Sequence, residues 1–85
     1  MTSESSLQQW RISINSTDLG TINQLFNNVI QILSLRSDVK VERIIGNESL
    51  PRLVVIHASG RTVTEIQNIF GSRIVITLDK QLEHF

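Results

Sequence analysis

Three residues of this chain are the types that make a hydrolytic triad: His57, Ser59 and Asp79. That chemistry needs a hydroxyl activated by an imidazole, which a carboxylate in turn orients. The Gly-x-Ser-x-Gly turn that would expose such a serine is missing around Ser59. A chain of 85 residues also leaves little room for a substrate pocket. His57, Asp79 and His84 are metal-ligating types, yet two histidines at unrelated positions read more simply as surface side chains. There are no cysteines, which excludes disulfides, thiolate zinc sites and thiol catalysis. Gly46, Gly60 and Gly71 stand alone, so there is neither a phosphate-cradling loop nor a dinucleotide fingerprint. The expectation is a protein that is not an enzyme and that carries no metal or cofactor.

The elements that must position these residues follow from hydrophobic spacing. Trp10, Ile12 and Ile14 alternate with Arg11 and Ser13, the period of a strand with one buried face. The cluster Asn15-Ser16-Thr17-Asp18 starts a helix, with Ser16 or Thr17 as the expected N-cap. Ile22, Leu25, Phe26, Val29, Ile30 and Leu33 then recur at steps of three and four, one face of an amphipathic helix. Asn23, Gln24, Asn27 and Gln31 make its other face polar without charge.

Residues 39–45 begin as an alternating, charged strand, and Gly46-Asn47-Glu48-Ser49 reads as a hairpin loop. Pro51 suits a strand entrance. Leu53-Val54-Val55-Ile56 is apolar throughout, as a central strand would be. Thr62 and Glu65 have capping-box spacing ahead of Val63, Ile66, Ile69 and Phe70, and Gly71 suits the turn past a helix end. Ile74-Val75-Ile76-Thr77-Leu78 is the last strand. Residues 1–6 read as a disordered leader, residues 7–78 as one domain, and residues 79–85 as an extended tail.

The order β-α-β-β-α-β with right-handed crossovers predicts an α+β, ferredoxin-like domain. In it two helices cover one face of a four-stranded antiparallel sheet. The first and third strands are central, and the charged second strand is an edge.

Composition narrows the function. Eight basic and eight acidic residues leave a net charge of zero, which argues against an electrostatic hold on nucleic acid. The N-terminus is polar and acidic, and the longest apolar run is Leu53 to Ile56, far short of the ~20 residues that span a bilayer. The default is therefore a cytoplasmic protein without a membrane segment. One sheet face must remain open to water or a partner. Arg11, Ser13, Val75 and Thr77 are expected there. In the third strand both parities are apolar, so either Leu53 and Val55 or Val54 and Ile56 join them; Val54 and Ile56 are the pair expected. A modest exposed apolar patch points to a protein partner or a second copy, so the chain is either a monomer or a homodimer.

Three resemblances give that partner a chemistry. Ile56-His57-Ala58-Ser59-Gly60-Arg61, followed by Val63, Ile66 and the Gly71 to Ile76 strand, resembles the core of a KH RNA-binding domain. It implies a helix before the loop and phosphate contacts from His57, Ala58, Ser59, Gly60 and Arg61. The strand order is also similar to that of ACT domains, which implies side-by-side dimerisation and a regulatory ligand.

Over residues 8–85 the chain looks like the propeptide of subtilisin-type serine proteases and the stand-alone inhibitors related to it. The element order, the length, and the ending Gly71-Ser72-Arg73-Ile74-Val75-Ile76-Thr77-Leu78-Asp79-Lys80-Gln81-Leu82-Glu83-His84-Phe85 carry this resemblance. It implies a protease inhibitor or folding helper whose open sheet face packs on two surface helices of the enzyme. Asp79 or Glu83 would cap those helices. Leu82, Glu83, His84 and Phe85 would lie in the substrate cleft as a cleaved product does, with Phe85 filling the pocket next to the scissile position.

Overall fold

The computed structural model describes residues 7–46 and 53–81. Its elements are β1 (Gln8–Ile14), α1 (Leu19–Ser34), β2 (Lys40–Ile45), β3 (Leu53–Ala58), α2 (Gly60–Phe70), a single 3₁₀ turn (Gly71–Arg73) and β4 (Ile74–Gln81). The strands form one antiparallel sheet in the order β2-β3-β1-β4. This is the expected ferredoxin-like α+β arrangement, with β2 and β4 at the edges. The leader over residues 1–6, the loop at residues 47–49, Pro51 and the segment Leu82, Glu83, His84 and Phe85 lie outside the described residues.

Both helix starts differ from expectation, for one shared reason. The residue that caps is the one whose side chain reaches the N–H three positions ahead. For α1 that residue is Asp18, not Ser16 or Thr17. Its carboxylate accepts from the Thr21 N–H at 2.8 Å and from the Thr21 hydroxyl at 2.9 Å. Ser16 supports it by accepting from the Asp18 N–H at 3.1 Å. A carboxylate at a helix N-terminus also meets the positive end of the helix dipole. The two Thr21 hydrogen bonds, the backbone one foremost, hold the Asp18 carboxyl below its usual range.

For α2 the cap is Ser59, which accepts from the Thr62 N–H at 3.2 Å. The helix therefore begins at Gly60, and Thr62 and Glu65 are not a capping box. Gly71 ends it with φ at 61°, a backbone region that a side chain disfavours.

The core lies between the helices and one sheet face. Ile12, Val54, Ile56 and Ile74 from the sheet meet Phe26, Val29 and Leu33 of α1 and Val63, Ile66 and Phe70 of α2. Val54 stands opposite Ile12 and Ile56 opposite Trp10. Antiparallel partners share a face, so Val54 and Ile56, both 0% exposed, belong to the helix-facing core. Their expected place on the open face is corrected: Leu53 and Val55 stand there. An all-apolar strand carries no alternation to reveal its register. That register comes from how its neighbours hydrogen-bond to it.

Candidate functional site: the open sheet face

Three rows of side chains cross the uncovered face. In the first row Ile45, Leu53, Ser13 and Val75 are register neighbours across β2, β3, β1 and β4. Ile45 and Val75 are exposed and Leu53 is half-buried, so this end of the face is apolar. In the second row Arg43, Val55, Arg11 and Thr77 follow in the same order. Val55 is only 1% exposed although it lies outside the helix-facing core. The third row holds Lys40, His57 and Gln9.

Arg11, Ser13, Val75 and Thr77 are thus where the alternation placed them. Two β-bulges add charge to the face. In β2 the register slips between Val41 and Arg43, leaving Glu42 as the extra residue. The Glu42 carboxylate lies 3.3 Å from His57 Nε2, outside hydrogen-bond geometry. In β4 the slip lies opposite Gln9 and Trp10, and Asp79 is the extra residue. Its carboxylate is 3.1 Å from Arg11 Nε and also accepts from the Gln9 side-chain amide. Asp79 was expected in the tail. It belongs instead to β4, which continues three residues past Leu78, to Gln81, because the bulge lets pairing with β1 resume at Lys80.

The three residues of the triad are separately occupied. The Ser59 hydroxyl donates to Thr62 Oγ1 at 3.1 Å, Asp79 holds Arg11 and Gln9, and His57 faces Glu42. Among the described residues no group of three His, Asp or Glu side chains could hold a metal.

The residues of the proposed RNA loop are likewise assigned. His57 and Ala58 end β3, Ser59 caps α2, and Gly60 and Arg61 open that helix. A strand precedes the junction, and Ala58 is fully buried, so the helix-loop-helix implied by the KH resemblance is absent here. No family model matches the chain, and no curated protein or solved structure is significantly similar to it. No helix among the described residues is long and apolar enough to cross a membrane.

Beside this junction is a cavity of about 310 Å³, lined by residues that include Leu7, Asp38, Lys40, His57 and Thr62. Asp38 anchors its wall. It accepts from Arg36 Nε at 3.0 Å, from Arg36 Nη2 at 2.9 Å and from the Thr62 hydroxyl at 3.0 Å. Arg36 also reaches Glu65 at 2.6 Å. The network ties the α1–β2 connection to α2.

The Arg36 hydrogen bonds, ahead of the one from Thr62, hold the Asp38 carboxyl at about 2, against an ordinary value of 3.8. A depressed folded-state pKa stabilises the fold fully above the ordinary value, and that contribution is lost as pH falls through the lower one. The melting temperature is therefore expected to fall between about pH 4 and pH 2. In Asp38→Asn the fall should be shallower over the same window; an unchanged profile would show that the network contributes nothing. The network eluded sequence reading because Arg36, Asp38, Thr62 and Glu65 are dispersed. Only the short Arg36-x-Asp38 spacing hinted at it.

Proposed function

We propose that the protein is a non-enzymatic binding module which docks a protein through its open sheet face, as a propeptide-like inhibitor or folding helper of a subtilisin-type serine protease. The observation that carries this reading is the row Ile45, Leu53 and Val75. Ile45 and Leu53 adjoin, Ser13 stands between them and Val75, and no described element covers this sheet face. Surface of this kind gains free energy when a partner removes it from water.

In this reading the apolar row packs on two surface helices of the protease. The segment after β4 runs into the substrate cleft, with Leu82, Glu83, His84 and Phe85 lying as an added strand. Asp79 already pairs with Arg11 and Gln9, so capping of the protease helices falls to Glu83. An anion there adds ~0.3–1 kcal/mol. Binding the native enzyme surface more tightly than the unfolded one would also favour folding of the enzyme.

The test is binding to a subtilisin-type protease inactivated at its serine, so that digestion does not intervene. Ile45→Glu and Val75→Glu each place a charge in the apolar row at an exposed position. Both variants should keep the melting temperature of the parent and lose at least about tenfold in affinity, or ~1.4 kcal/mol. Equal affinity of parent and variants would remove the open face from the interface.

A further inference from the structure

β2 is the terminal strand of the sheet, and all six of its residues are exposed. The helices leave Val41 and Ile44 on its inner face largely uncovered. A bare edge with apolar side chains is an invitation to pairing, which proteins ordinarily blunt with charge or a bulge.

Here the bulge has a different consequence. Lys40, Arg43 and Ile45 stand opposite His57, Val55 and Leu53 on the open face, whereas Val41 and Ile44 stand opposite Ile56 and Val54 on the helix side. The extra residue Glu42 reaches His57 and so also lies on the open face. From Lys40 to Ile45 the faces therefore read open, helix, open, open, helix, open, which is the same in both directions. An unbulged strand alternates strictly, and reversing its six residues would set every side chain against one of the other face.

We infer that two copies join antiparallel through β2, about a two-fold axis between Glu42 and Arg43. In that register Glu42 faces Arg43 of the second copy, twice over. Val41 faces Ile44 of the second copy, again twice. Lys40 faces Ile45 of the second copy, along which its aliphatic stem can lie. Neither Arg43 nor Lys40 has an ion pair among the described residues, so both cations are available to a partner. Shifting the register by one residue either way opposes the faces. The self-complementary charges thus select one pairing, as an isologous interface requires. The product is a continuous eight-stranded sheet with both open faces on one side. This inference does not depend on which partner the open face takes.

The test uses the intact protein and its charge reversals in sedimentation equilibrium. The parent should show concentration-dependent dimerisation. Glu42→Arg and Arg43→Glu each set like charges opposite one another at two places, and each alone should weaken the dimer at least about tenfold. Mixing the two variants again sets opposite charges against one another at both places and should restore association as a heterodimer. The exposed positions keep folding out of the comparison, and circular dichroism checks this. A parent that stays monomeric up to about 1 mM, the weak end of specific association, would overturn the inference. So would variants that dimerise as well as the parent, or a mixture that fails to re-form the dimer.

Discussion

Removing Leu82 to Phe85 is expected to raise the inhibition constant against a susceptible subtilisin-type protease about a hundredfold or more, or ~2.8 kcal/mol, without moving the melting temperature. The expectation rests on the proposed function. In that proposal the open face would supply docking area, but only the segment beyond β4 would occupy the cleft and exclude substrate. β4 is fastened to β1 as far as Gln81, the last residue in the register. Its exit is further oriented by Asp79, held between Arg11 and Gln9. A shortened chain therefore keeps the sheet and its docking row. If it inhibited as well as the parent, the open face alone would be the inhibitor and the cleft mechanism would be wrong. Arg11→Ala is a milder version of the same experiment, because it loosens the strand end while leaving the cleft residues in place.

The second large effect is on stability. Phe26→Ala is expected to cost ~3–5 kcal/mol, the usual penalty for emptying a buried aromatic site. Phe26 is 1% exposed and belongs to the cluster joining both helices to the sheet. A domain of 85 residues has only ~4–13 kcal/mol in total at typical values per residue. The variant should therefore show a urea midpoint lower by roughly 2 M or more, with helical signal already reduced at room temperature. Leu35→Ala is the control, since Leu35 is 77% exposed at the end of α1 and should leave the midpoint unchanged. Equal midpoints for the two variants would mean that α1 is not held by the core described here.

How much of this was legible in the sequence follows from which interactions are local. The fold was legible because its signals are periodic. Trp10, Ile12 and Ile14 show their parity against Arg11 and Ser13, and the spacing of Ile22 to Leu33 can only be one helix face. The helix caps were half legible. The sequence shows the capping clusters, but the choice among Ser16, Thr17 and Asp18, or between Ser59 and Thr62, depends on the turn geometry that brings one side chain within 3.2 Å of the N–H to be capped. The parity of β3 was not legible, since Leu53 to Ile56 has no polar residue to mark a face. The bulges were not legible either. Nothing near Glu42 or Asp79 announces an extra residue, because a bulge is a property of two strands in register. Those bulges decide that Arg43 and Lys40 share a face and that Asp79 sits in the sheet. The places of Arg43 and Asp79 on the open face were therefore hidden from sequence reading.

The most direct test of the central claim is the time course of chromogenic peptide hydrolysis by a subtilisin-type protease, with and without this protein. Docking of the open face with the tail in the cleft predicts inhibition at micromolar or tighter concentration that persists, or fades slowly as the bound protein is cleaved. Hydrolysis at the uninhibited rate, with the protein rapidly digested, would contradict it.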